Sequence, residues 1–122
     1  MIRIERKSHN RLDIEFQGGI DEAGMRAAIN ELQTKSQGIE AGTMLYSIGD
    51  FDLPSFGAIA VEISRIPEML RIMRRFRKVA LLADSGWVRA VSSIEGALFP
   101  GMELKTFEQA ERNAAEAWLA AE

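Results

Sequence analysis

Five cations fall between positions 71 and 78 of this chain: Arg71, Arg74, Arg75, Arg77 and Lys78. They are interleaved with Met69, Leu70, Ile72, Met73 and Phe76. An apolar helix face beside a basic one suits an anionic surface, whether lipid headgroups or an acidic partner. Arg71, Arg74 and Arg75 are therefore the expected anion dock. Cations at a helix C-terminus are also favourable in their own right, by about 0.3–1 kcal/mol, and that alone accounts for them. The acidic candidates are Asp50, Asp52 and Asp84, each after an apolar run that reads as a strand. Open α/β sheets place ligands at such strand ends, where a carboxylate cluster binds a cation or acts as a general base. Aspartate is equally favoured there as a helix cap.

Other reactive patterns are incomplete. His9 stands alone among 122 residues and there is no cysteine, so neither a Ser-His-Asp set nor a zinc site can be assembled. Gly18-Gly19 is not a GxGxxG fingerprint and brings no P-loop lysine; two glycines permit a tight turn. No catalytic residue, metal ligand or cofactor is expected.

The elements that must position these groups are legible from periodicity. Ile2 and Ile4, then Leu12, Ile14 and Phe16, alternate on either side of Ser8-His9-Asn10, which predicts a hairpin. Asp21 is a helix N-cap followed by Met25, Ala28, Ile29 and Leu32 at helical spacing. Residues 43–48 read as a buried strand and 49–55 as the loop after it. From Phe56, Ile59, Ile63, Ile66, Leu70 and Met73 make one helical stripe, expected to cover the sheet. Pro67 breaks it, because proline suits the first turn of a helix but not its interior, so a break is predicted at Ile66. Lys78–Ala83 is the strongest strand. Trp87, Val88, Val91, Ile94, Leu98 and Phe99 make the next helix apolar over more than half its circumference, wider than a one-faced helix needs. A strand over 102–107 and a helix over 108–121, buried through Ala110, Ala114, Ala117 and Trp118, complete the chain. The pattern ββαβααβαβα predicts one α/β domain, with a mixed, mainly parallel sheet of about five strands and an N-terminal antiparallel hairpin.

Composition excludes several classes. The net charge of −3 argues against a nucleic-acid binder. No stretch has the length of a signal peptide or a membrane span, and a cysteine-free chain suits a reducing compartment, so a cytoplasmic location is expected.

One succession carries a resemblance. A strand ends near Asp50 and a long helical segment follows it. Then come Phe76-Arg-Lys-Val-Ala-Leu-Leu-Ala-Asp84, Trp87, Leu104-Lys-Thr-Phe107 and the helix from Ala110 to Trp118-Leu119. Over nearly its whole length the chain resembles the SpoIIAA-like proteins. These are small bacterial α/β domains related to the STAS domains of anti-sigma-factor antagonists, with a fold similarity to lipid-binding CRAL-TRIO (Sec14-like) domains. The resemblance implies no enzymatic activity. It implies protein–protein signalling, or binding of a lipid-like ligand with membrane association. In the antagonists a phosphorylated serine in Asp-Ser-Ser-Gly opens the helix after the corresponding strand, which makes Ser55 the implied phosphoacceptor. This chain has Asp52-Leu-Pro-Ser55-Phe-Gly57, with the acid displaced and the second serine missing. Serine at that place also serves as an unmodified cap.

The expected function is a non-enzymatic module that binds a protein partner through a helical face formed by Met69, Ile72, Trp87, Val88 and Phe99. The alternative is a lipid-like apolar ligand or an anionic membrane surface. Peripheral membrane contact and a homodimer are both compatible with such a face.

Overall fold

The computed structural model describes residues 2–51, 60–61, 63–84 and 101–121. The alternating N-terminal runs form β1 (Ile2–Ser8) and β2 (Arg11–Gly18), paired antiparallel with Ile4 opposite Ile14. Gly18 has φ 74°, a conformation that glycine reaches without strain, and there the chain leaves the sheet. Asp21 caps α1 (Glu22–Lys35), its Oδ1 accepting from the Gly24 amide at 2.8 Å.

The far end of α1 is tied back to the hairpin. Arg6 donates to the carbonyls of Gln37 at 2.6 Å and Lys35 at 3.3 Å, while Lys35 Nζ donates to the Ile4 carbonyl at 2.5 Å. The bond to the Lys35 carbonyl satisfies a group that a helix end leaves unpaired.

Next come β3 (Gly42–Phe51), α2 (Ile66–Met73), β4 (Phe76–Ala83) and β5 (Glu103–Glu108). A 3-10 turn at Gln109–Glu111 leads into α3 (Arg112–Ala120). The sheet order is β1-β2-β3-β4-β5; only β1 is antiparallel to its neighbour, so β1 and β5 are the edges. Gly42 sits where the hairpin turn meets the entry to β4. Its amide donates to the Arg75 carbonyl at 2.9 Å, and a Cβ there would lie 2.4 Å from Ile39 Cγ2 and 2.8 Å from the Asn10 carbonyl. Only glycine lets these segments approach so closely.

Each sheet face carries its own core. Leu12, Ile14, Met44 and Val79 pack with Ile39, Ile72 and Phe76 on one face. Leu45, Ala80, Leu82 and Phe107 pack with Ala115 and Leu119 of α3 on the other. That second face turns polar over β1 and β2, where Arg3 pairs with Glu15 at 2.7 Å and Lys7 with Glu5 at 3.3 Å. Arg11 joins this polar half to α3. It forks onto both carboxylate oxygens of Glu116, at 2.7 and 3.2 Å, and reaches Asp13 Oδ1 at 2.6 Å.

Several expectations need correction. Residues 49–51, read as loop, continue β3, because Phe51 finds a partner in Gly18. The helix break falls at Arg65 and α2 opens at Ile66, with Pro67 in its first turn, where its missing N–H costs nothing. The final helix buries Ala115 and Leu119, whereas Ala110, Ala114 and Ala117 are exposed. Alanines on every side of that segment gave its stripe no unique phase. The helix expected over 87–99 lies outside the described residues.

Leu82 is fully buried in β4, so Leu82→Ala should cost about 2–5 kcal/mol, read as a lower denaturant midpoint at unchanged slope. The fork from Arg11 holds the Glu116 carboxyl below its ordinary value of 4.5, opposed in part by desolvation. A depressed carboxylate contributes stability above its unfolded pKa and loses it as pH falls through the folded one. The urea midpoint should therefore fall less between about pH 6 and pH 3 in Glu116→Gln than in the unsubstituted chain. An equal fall in both proteins would show that the fork contributes nothing to acid sensitivity.

Candidate interaction face

The carboxyl ends of β2, β3 and β4 open onto a cleft of about 450 Å³, lined by Glu15, Gln17, Ser47, Asp84, Gln109 and Arg112. Its polar groups are largely spent on one another. Gln109 Nε2 donates to the Ile48 carbonyl at 2.9 Å and to Ser47 Oγ at 3.2 Å, bridging the turn before α3 to β3. Ser47 thus has an amide for a neighbour, not a base. His9 lies in the hairpin turn, at the opposite end of β2. Among the described residues no nucleophile and base meet here. Among the described residues no three acidic or histidine side chains gather as metal ligands. Asp84 is exposed after β4, and Asp52 lies outside the described residues.

The basic run is divided by its surroundings. Lys78, on the face of β4 toward α3, is buried, and its Nζ donates to the carbonyls of Trp118 at 2.9 Å and Ala121 at 2.8 Å. The same ammonium lies 5.0 Å from the centre of the Trp118 ring. Arg75, expected in the anion dock, is half-buried and donates to the Ser36 carbonyl at 3.3 Å, beyond the end of α1. Arg65 is held by Glu68, and its guanidinium lowers the Glu68 pKa by hydrogen bonding. Arg71 and Arg74 remain exposed and make no side-chain hydrogen bond or ion pair among the described residues. The expected dock thus reduces to two of its three arginines.

The apolar side chains are likewise redistributed. Ile72, expected at the binding surface, is instead a core residue at 3% exposure, packed with Phe76 and Ile39. Met69 is half-buried. Of the stripe expected to cover the sheet, Met73 packs half-buried against the core, but Ile63, Ile66 and Leu70 face outward, 62%, 46% and 39% exposed. They are the large apolar side chains exposed among the described residues. The reason is geometric. This short segment has two apolar stripes, one through Val61, Ile72 and Phe76 and one through Ile63, Ile66 and Leu70. The turn into β4 buries Phe76, and with it the first stripe. The signal was present in the sequence as an excess of apolar positions over what one helix face can bury. Trp87, Val88, Phe99 and Ser55 lie outside the described residues.

Arg75→Gln should lower stability by about 1 kcal/mol, the usual worth of one partly buried hydrogen bond. Arg74→Gln should leave it within about 0.5 kcal/mol, as for an unpaired surface residue. Equal losses in chemical denaturation would show that the two arginines are not distinguished in this way.

The family model described as SpoIIAA-like matches residues 11–120. No curated protein matches the chain in sequence. Among solved structures, an uncharacterised DUF3478-family protein with a SpoIIAA-like fold, from Shewanella loihica PV-4, is 22% identical with a TM-score of 0.73, covering 98% of this chain and 93% of that one. The anti-sigma factor antagonist SpoIIAA in its unphosphorylated form is 14% identical with a TM-score of 0.58, over 99% of this chain and 100% of the other. The Bacillus cell fate determinant SpoIIAA in its phosphorylated form is 18% identical with a TM-score of 0.56, over 97% and 99%. At these identities the structural likeness speaks to the fold.

Proposed function

Because the chain belongs to the SpoIIAA-like family, we propose that it is a non-enzymatic interaction module that binds a protein partner through the outward stripe of α2 and the helical turn before it. The observation that carries this reading is the exposure of Ile63, Ile66 and Leu70 on one helix face. Monomeric proteins scatter exposed apolar residues singly, and a contiguous set marks a surface that another molecule covers. The described part of the polar cleft supplies no nucleophile–base pair to favour an enzyme. The anti-sigma factor antagonist that shares the fold acts, by its name, on another protein, which supports the same class of function.

A membrane surface is the second reading, favoured by Arg71 and Arg74 beside the stripe. An interfacial helix carries cations along both flanks of its apolar face. Here the two exposed arginines sit at one end, and Arg65 is already paired with Glu68. That arrangement fits a discrete partner better than a lipid plane. Among the described residues no helix is long and apolar enough to cross a membrane.

A photoreactive residue at Ile66, introduced in the native host, should form discrete protein adducts. The added substitutions Ile63→Ser and Leu70→Ser should abolish them without moving the thermal midpoint, because both side chains are exposed. Adducts with lipid alone, or adducts that survive the double substitution, would refute a protein-binding face on α2.

A further inference from the structure

The exposed stripe has a polarity. Ile63, Ile66 and Leu70 follow at intervals of three and four, and the next turn brings Met73, half-buried against the core, and the exposed Arg74. Arg71 lies four residues after the exposed Pro67, on the neighbouring row. The ridge is therefore apolar at its amino end and doubly cationic at its carboxyl end. Among the described residues no carboxylate forms an ion pair with that end: Arg65 takes Glu68, Arg75 takes the Ser36 carbonyl, and Lys78 is buried under α3. Glu68 also interacts with the Arg71 charge, but its hydrogen bond is to Arg65.

We infer that the occupant is an amphipathic helix of another protein, lying antiparallel along α2, with its apolar stripe on Ile63, Ile66 and Leu70 and an acidic first turn against Arg71 and Arg74. The inference rests on the protein-binding reading above and specifies its partner. Two physical terms set the orientation. Carboxylates are favoured in the first turn of a helix, so an acidic N-terminus is also the natural way for a helix to begin. That turn meets the carboxyl end of α2, so the two helix dipoles oppose and attract. Helix-in-groove and helix-on-helix recognition reads apolar anchors at this spacing. The charge term fixes direction and partner choice more than strength.

The test uses the full chain and two synthetic amphipathic helices, each held helical by a hydrocarbon staple because short free helices are marginal in water. Both carry leucines at the complementary spacing; one has two glutamates in its first turn and the other two lysines. By fluorescence anisotropy at low salt, the glutamate helix should bind roughly tenfold more tightly, as expected for two exposed charge pairs. The preference should shrink with added salt and reverse in an Arg71→Glu/Arg74→Glu variant. Equal binding of both helices would overturn the acidic partner while leaving a protein-binding ridge intact. Capture of the chain by vesicles containing anionic lipid, with neither helix bound, would overturn both and assign the ridge to a membrane. Self-association that Leu70→Ser abolishes would make the occupant a second copy and overturn the inference. Absence of binding to either helix would also overturn it, whereas the adducts at Ile66 judge the broader reading separately.

Discussion

The structure depends on covering β4 from both sides. From Lys78 to Ala83 every side chain of this strand is buried, so neither face of the sheet can be left to water. Parallel strands of this kind require helices on both faces. The demand falls on α1 and α2 on one side and α3 on the other. It is sharpest at Lys78, a charge at 7% exposure where the apolar run of the strand begins. An unpaired ammonium there would be strongly unfavourable, and the last carbonyls of α3 supply the acceptors. Among the described residues the Trp118 carbonyl has otherwise only the Ala121 amide at 3.3 Å, and helix ends leave such carbonyls short of donors. One contact thus resolves two deficits, and it places α3 along the strand through the Trp118 ring.

Where sequence and structure agree, a residue had a single physical option. The hairpin follows from strict alternation, α1 from an aspartate cap and a clean stripe, and β4 from an unbroken apolar run. Where they part, the sequence offered two options of similar merit. The segment before β4 holds two apolar stripes, and periodicity could not say that the Ile72 stripe would go inward. Only the entry of Phe76 into the sheet decides it, a long-range fact. The alanines of α3 posed the same ambiguity, settled by the bulk of Leu119 and by the seat of Trp118. The basic run looked uniform as letters, yet its members meet separate fates because β4 begins inside it.

This partition of the cations bears on the proposed interaction face. Arg6, Arg11, Arg75 and Lys78 are structural: each ties one element to another by bonding to carbonyls or carboxylates. Their fixed partners leave them little to offer a ligand. Arg71 and Arg74 project from α2 without such duties. An acidic protein can in this way present a small basic end beside an apolar ridge, a contrast that net charge conceals.

The two edges of the sheet have a consequence for the behaviour of the chain in concentrated solution. An edge strand presents unpaired backbone groups that can template another strand and seed ordered aggregates. Here β1 carries Arg3, Glu5 and Lys7 on one face, and β5 carries the exposed Glu103 and Lys105. Stacking a second molecule on either edge would crowd or desolvate these charges. The interaction ridge, by contrast, is helical and presents no free ladder. The protein therefore exposes apolar surface on the element least able to propagate a fibril, and keeps its polymerisable edges charged.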